Sequence, residues 1–151
     1  MRKDRATRHP GLKSDGSFEG EVFAAWMEAV KRECSSTGHL EVAMTMVGHV
    51  LIYAPPDPDG LWINRSVADV LDAKDSGDMR EGFRTELFNS RGVHFVEPTG
   101  KPERELADKY CAQADAAENA GYSRLATTLK ELATSYRQEA EHWAAGEHFD
   151  D

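Results

Sequence analysis

The sequence predicts an all-α fold, a compact bundle of about five or six helices that ends in a long antiparallel helical hairpin. Two observations support this. Apolar residues recur at helical spacing in several segments, and clusters of glycine and proline separate those segments. At most one short piece, Val93 to Val96, is predicted to be extended. A chain of 151 residues can bury a core without disulfides or metal.

Two helices are predicted to follow the N-terminal segment. Ser17 can cap a helix whose apolar stripe begins at Phe18, and Gly38 can adopt the left-handed conformation that closes it. The next segment, residues 39–54, carries apolar side chains around nearly its whole circumference, which predicts a central helix buried on most sides. A strand over VGHVLIY is the alternative, because β-branched residues are concentrated there.

A proline-rich break, APPDPDG, comes next, because prolines fix φ and remove backbone donors. Trp62 and Ile63 are predicted to fold back onto the core. Two short helices are then predicted, with these candidate caps and apolar residues: Asn64 or Ser66 before Val67, Val70 and Leu71, and Asp75 or Ser76 before Met79, Phe83 and Leu87.

The C-terminal third has the clearest periodicity. One apolar stripe runs from Leu106 to Ala117, and Gly121 can turn the chain. In the second stripe, large residues recur every seven positions with alanines beside them: Tyr122, Leu129, Tyr136 and Trp143. This pattern predicts closely packed antiparallel helices. If the rest of the domain does not cover these four residues, they are candidates for a protein interface.

The predicted organisation is one domain with two tails. We expect residues 1–16 to form a basic, disordered tail, residues 17–146 to form a single helical domain, and residues 147–151 to form an acidic tail. Within the domain, residues 17–100 hold the N-terminal helices and the proline-rich loop. Residues 101–146 hold the C-terminal hairpin.

The net charge of −9 is unevenly distributed. Residues 1–13 carry five basic side chains against one acidic side chain, so the remainder is more acidic than the total suggests. Such a body repels phosphates, and nucleic acid is not expected as a partner except through the basic tail.

The sequence shows no signal-peptide pattern and no apolar run of membrane-spanning length. We therefore expect a cytoplasmic protein that does not bind membranes. Cys34 and Cys111 share no short metal-type spacing, and we expect them to be reduced, small apolar residues.

No motif assigns a specific chemistry to the chain. Glu139 and His142 form one Glu-x-x-His pair, but a carboxylate-bridged di-iron site needs a second pair and further glutamates. Zinc spacing, a phosphate loop and a nucleophile elbow are also missing. We therefore predict no metal and no cofactor, catalytic residues remain unknown, and a non-enzymatic protein is favoured.

Residues 64–94 contain the densest polar region. Its arginines could bind an anionic group through guanidinium forks, and the candidate anion-binding residues are Arg65, Arg80, Arg84, Arg91 and His94. Acidic residues in the same stretch could instead neutralise these arginines as surface ion pairs, and this second interpretation is favoured. His49 has two interpretations as well: a base with a lowered pKa, or a neutral core histidine bonded to a carbonyl.

The leading functional hypothesis is a non-enzymatic helical protein–protein interaction module, or a small subunit or adaptor of a larger assembly. Its partner would be another protein or a second copy of the chain. The alternative is a small-molecule or nucleotide-binding protein, or an enzyme, that uses the arginine-rich turn at residues 64–94. The segment from Ala117 to Ala140 resembles one tetratricopeptide-type hairpin, but no second copy occurs and the sequence assigns no family.

Overall fold

The structure, a computed structural model, describes residues 9–13, 15, 17–90 and 99–146. The all-α prediction is confirmed: within these residues the regular structure consists of six helices and an isolated bridge. The helices are α1 (Gly20–Thr37), α2 (Leu40–Leu51), α3 (Arg65–Asp72), α4 (Gly77–Asn89), α5 (Lys101–Asn119) and α6 (Ser123–Gly146).

The chain divides into two compact units, Met1–Leu87 and Phe88–Asp151, and the boundary falls in the last turn of α4. The sequence placed an internal division after residue 100, whereas the second unit begins at Phe88. A single domain over residues 17–146 therefore stays a prediction. The extended piece predicted at Val93 to Val96 and the acidic tail at residues 147–151 lie outside the described residues.

The segment before α1 packs against that helix. Leu12 and Phe18 form an antiparallel bridge, and the Glu19 N–H donates to the Gly11 carbonyl at 2.8 Å. The prediction that Ser17 caps a helix beginning at Phe18 was wrong. Its hydroxyl donates to Asp15 Oδ1 instead, at 2.7 Å, and α1 begins at Gly20. Hydrogen bonds within this turn take the place of the expected cap.

His9 is fully buried in this segment, which the sequence had assigned to a disordered tail. Its ring centroid lies 5.6 Å from that of Phe18 and 5.5 Å from that of Phe23. His9 Nδ1 bonds to the Pro10 carbonyl at 2.8 Å, and Nε2 has no hydrogen-bond partner among the described residues. Burial lowers the pKa of His9, and the bond to Pro10 opposes this effect only in part. The folded state therefore favours the neutral imidazole.

We expect His9 to make the stability of the chain sensitive to mild acid. In the unfolded chain His9 takes up a proton as the pH falls through about 6.5. In the folded chain it does so only at a lower pH, because burial lowers its pKa. The free energy of unfolding should therefore fall as the pH drops below about 6.5. Urea unfolding at several pH values should show this loss in the wild type and not in His9→Phe. The exposed His39→Phe variant is the control; an equal loss in His9→Phe would contradict the assignment.

Helices α1 and α2 contact each other, and Gly38 joins them. Gly38 has φ of 78°, and its N–H donates to the Cys34 and Ser35 carbonyls, which confirms the predicted helix end. The expectation that α2 is buried on most sides was wrong. Its buried residues lie along one side: Met44, Val47, Gly48 and Leu51.

The proline-rich segment is an ordered loop. The Asn64 N–H donates to the Pro55 carbonyl at 2.8 Å, which closes the loop, and Ile63 is buried. The Asn64 side chain then accepts the Ser66 N–H at 2.9 Å and caps α3, as the sequence predicted. Trp62 is only half-buried.

Helices α2 and α4 touch through their backbones. A Cβ atom added to Gly48 would overlap the Met79 carbonyl and lie 2.7 Å from the Phe83 nitrogen. A Cβ atom added to Gly82 would overlap the Thr45 carbonyl. Both groups in the way are backbone atoms of the opposing helix, so they cannot rotate aside. Only glycine fits at these two positions of the crossing.

We expect Gly48→Ala and Gly82→Ala each to lower the free energy of unfolding by about 1–3 kcal/mol, because the new methyl group forces the two helices apart. This loss should exceed the gain in helix propensity that alanine provides. Gly77→Ala is the matched control, since its nearest neighbour is the flexible Arg80 guanidinium at 3.9 Å. Urea unfolding followed by circular dichroism would measure the change. Equal stability of all three variants would contradict the crossing.

The second unit contains the predicted antiparallel hairpin. Tyr110 of α5 stacks on Tyr136 of α6 with ring centroids 6.0 Å apart, and Lys130 pairs with Glu118 at 2.7 Å. Gly121, with φ of 98°, turns the chain between the helices, as predicted. The facing stripes are buried and largely made of alanine and leucine: Ala107, Ala114 and Ala117 on α5, and Leu125, Leu129, Leu132, Ala133 and Ala140 on α6.

Candidate functional site

One side of α2 is apolar and exposed. Val42, Met46, His49 and Tyr53 follow at spacings of four, three and four residues, which places them in one row on a helix. The exposed fraction is 65% for Val42, 60% for Met46 and 50% for Tyr53. Tyr53 lies beyond the helix end, but its N–H donates to the Val50 carbonyl at 3.2 Å and the turn continues the row. We call Val42, Met46, His49 and Tyr53 the α2 outer face.

The α2 outer face begins beside an exposed glutamate, and the segment that carries it contains no lysine or arginine. No lysine or arginine occurs from residue 39 to residue 64, and the acidic residues of this stretch are Glu41, Asp57 and Asp59. Glu41 is exposed in the first turn of α2.

His49 connects this face to α4. Its Nδ1 lies 2.8 Å from Glu86 Oε1, and both side chains are about 30% exposed. Its ring packs on the glycine of the crossing, since a Cβ atom added to Gly82 would lie 3.2 Å from His49 Cδ2. The interpretation as a core histidine bonded to a carbonyl was therefore wrong, because the partner is a carboxylate. The hydrogen bond fixes the orientation of the imidazole beside Met46.

The structure gives the predicted anion-binding residues internal partners. Arg65 Nε donates to Asp59 Oδ2 at 2.7 Å, and Arg84 Nη2 donates to Glu81 Oε2 at 2.9 Å. Arg80 Nη1 donates to two carbonyls at the end of α3, those of Leu71 (2.8 Å) and Ala73 (2.7 Å). Arg91 and His94 lie outside the described residues. Anion binding at this turn stays a prediction, and these contacts favour the internal-pairing interpretation.

We expect Arg80→Ala to lower the free energy of unfolding by about 2 kcal/mol, because two carbonyls lose a charged donor. Arg84→Ala should change it by less than about 0.5 kcal/mol, since its ion pair with Glu81 is on the surface. Thermal and urea unfolding of the two variants would measure the difference. A loss of equal size in both would mean that Arg80 does not hold α3.

The four candidate interface residues of the hairpin differ in exposure. Leu129 and Tyr136 are buried, and the Tyr136 ring stacks on the Phe88 ring with centroids 5.1 Å apart. Tyr122 and Trp143 are half-buried. Trp143 Nε1 is buried without a hydrogen-bond partner among the described residues. Leu129 and Tyr136 therefore belong to the core of the hairpin, and an outside partner cannot reach them while the hairpin stays closed.

Sequence reasoning missed two fully buried polar residues, His9 and Glu103. Glu103 is fully buried in the first turn of α5, where the helix dipole favours a carboxylate. Its position gives a signal that sequence analysis could have used. Glu103 lies four residues before Ala107 and seven before Tyr110, which places it on the buried stripe of α5.

Other chemistry is sparse in the described part of the chain. No group of three or more His, Cys, Asp or Glu side chains there could hold a metal ion. The two cysteines are free and half-buried, and Arg137 Nη2 lies 3.1 Å from Cys111 Sγ. No helix among these residues has the length and apolar character needed to cross a membrane.

The comparisons with known proteins give no match. No protein-family model, no curated protein and no solved structure matches the chain.

Proposed function

We propose that the chain is a helical protein–protein interaction module, a small subunit or adaptor that binds its partner on the α2 outer face. The observation that carries the proposal is the exposed row of Val42, Met46 and Tyr53. Single exposed apolar side chains are normal on protein surfaces, but a continuous row on one helix is typical of an interaction site.

The composition of the row suits protein contact. Methionine adapts its unbranched side chain to different partner surfaces, and tyrosine combines a large apolar ring with a polar tip. Both residue types are enriched at protein interfaces. Burial of Met46 and Tyr53 by a partner would remove apolar area from water without burying a lysine, arginine or carboxylate of the row itself.

Contacts on two sides hold the helix that carries the face, which favours binding. The backbone contact at Gly48 and Gly82 fixes α2 against α4, and the bond from His49 to Glu86 lies beside it. A preorganised surface loses little conformational entropy when a partner binds. By contrast, the hairpin stripe first suggested as an interface has Leu129 and Tyr136 in its core. The α2 outer face is therefore the better-supported docking surface.

The proposal can be tested by site-specific photocrosslinking. A benzoylphenylalanine placed at position 42 or 46 should give a discrete crosslinked adduct in cells that express the chain. The same probe at position 22 is the control, because Val22 is 50% exposed but lies on α1. Mass spectrometry of the adducts would identify the crosslinked protein and segment. No adduct, or the same adducts from all three positions, would contradict the proposal.

A further inference from the structure

We infer that the partner segment bound by the α2 outer face is a basic amphipathic helix of another protein. This inference rests on the proposed function and adds the chemical class of the partner. Three observations carry it: the shape of the row, the acidic charge around it, and the absence of basic residues that a second copy would need.

The shape of the row matches a helix. From Val42 to Tyr53 it extends about 16 Å along the axis, at 1.5 Å per residue. The opposite side of α2 is buried at Met44 and Val47, so a partner helix can approach only the side that carries the row. A second helix can pack its own row of apolar residues along such a ridge, at positions i, i+4, i+7 and i+11.

The charge around the row selects the sign of the partner. Glu41 borders the N-terminal end of the face, and Glu86 lies beside His49. Asp57 and Asp59 follow Tyr53, but Arg65 Nε pairs with both, at 3.8 and 2.7 Å, so these two carboxylates add little unbalanced charge. In the whole chain, 27 acidic residues stand against 18 basic ones. Lysine and arginine at the edges of a bound helix would meet complementary charge and associate faster.

A second copy of the chain is a poorer occupant. Two α2 outer faces placed together would bring Glu41 and Glu86 of both copies into one interface, with no lysine or arginine from residue 39 to residue 64 to balance them. Each copy also carries a net charge of −9. Like charges across an interface oppose association. A basic partner has neither disadvantage.

Peptide binding to the full chain tests the inference. The probe is a fluorescent amphipathic peptide of about five helical turns, with leucine at the four spaced positions and lysine elsewhere. Two control peptides are used, one with glutamate in place of lysine and one with the same lysines and leucines scrambled around the helix. In fluorescence anisotropy, the lysine peptide should bind at least about tenfold more tightly than either control, and binding should weaken as salt rises from about 50 to about 300 mM.

Neutral substitutions separate the apolar contribution from the charge. Met46→Gln combined with Val42→Ser should weaken binding of the lysine peptide at least about tenfold, a loss of about 1.4 kcal/mol. Val22→Ser, the matched control on α1, should leave it unchanged. Glu41→Gln should weaken binding less and reduce its salt dependence. Because Val42, Met46 and Val22 are exposed, circular dichroism should show that all these variants fold.

The outcomes distinguish this inference from the proposed function. If the photocrosslinked segment proves acidic or neutral, or the glutamate peptide binds as well as the lysine peptide, the inference is overturned while the docking face stands. Sedimentation that shows a dimer dissociated by Met46→Gln would also overturn it, with a second copy as the occupant. If the Met46 and Val42 changes leave binding of the lysine peptide unaffected, the binding is non-specific charge attraction and the inference is overturned. Absence of both adducts and peptide binding would contradict the proposed function as well.

Discussion

The backbone contact between α2 and α4 is the constraint on which the first unit depends. Because Gly48 and Gly82 have no side chain, the two helices approach until carbonyl groups of each lie against a glycine of the other. That approach brings His49 within hydrogen-bond distance of Glu86. It also fixes α4, which carries the Arg80 guanidinium to the carbonyls at the end of α3. Three helices are thus positioned by contacts that begin at one crossing.

The parts of the fold that sequence predicted are those that local rules determine. Gly38 and Gly121 turn the chain because only glycine adopts a positive φ at little steric cost, and both were recognised by their positions. Asn64 was recognised as a helix cap for a similar reason. The hairpin followed from seven-residue periodicity, which requires no knowledge of distant contacts. Capping and periodicity are properties of segments, so a single sequence reveals them.

The errors concern contacts between residues far apart in sequence. The apolar residues around α2 predicted that the helix is buried on most sides, yet Val42 and Met46 are exposed. Periodicity cannot show which sides of a helix other helices cover. His9 was assigned to a disordered tail because its neighbours in sequence are basic, yet its ring packs against the rings of Phe18 and Phe23. The candidate site was missed for the same reason. The arginines were chosen as candidates because they are concentrated in one stretch of the sequence. An exposed apolar row can be recognised only when the structure shows which residues surround it.

The glycine crossing has a consequence for how this surface can change over time. The exposed side chains of Val42 and Met46 contribute little to holding α2 in place, because its buried side and the glycine crossing do so. Substitutions at Val42 and Met46 can therefore change the chemistry of this surface while the fold stays intact. Gly48 and Gly82 have no such freedom. The same short helix thus contains a position closed to variation at Gly48 and positions open to it at Met46 and Val42, so that the chemistry of this surface can diverge among descendants of this chain without loss of the scaffold.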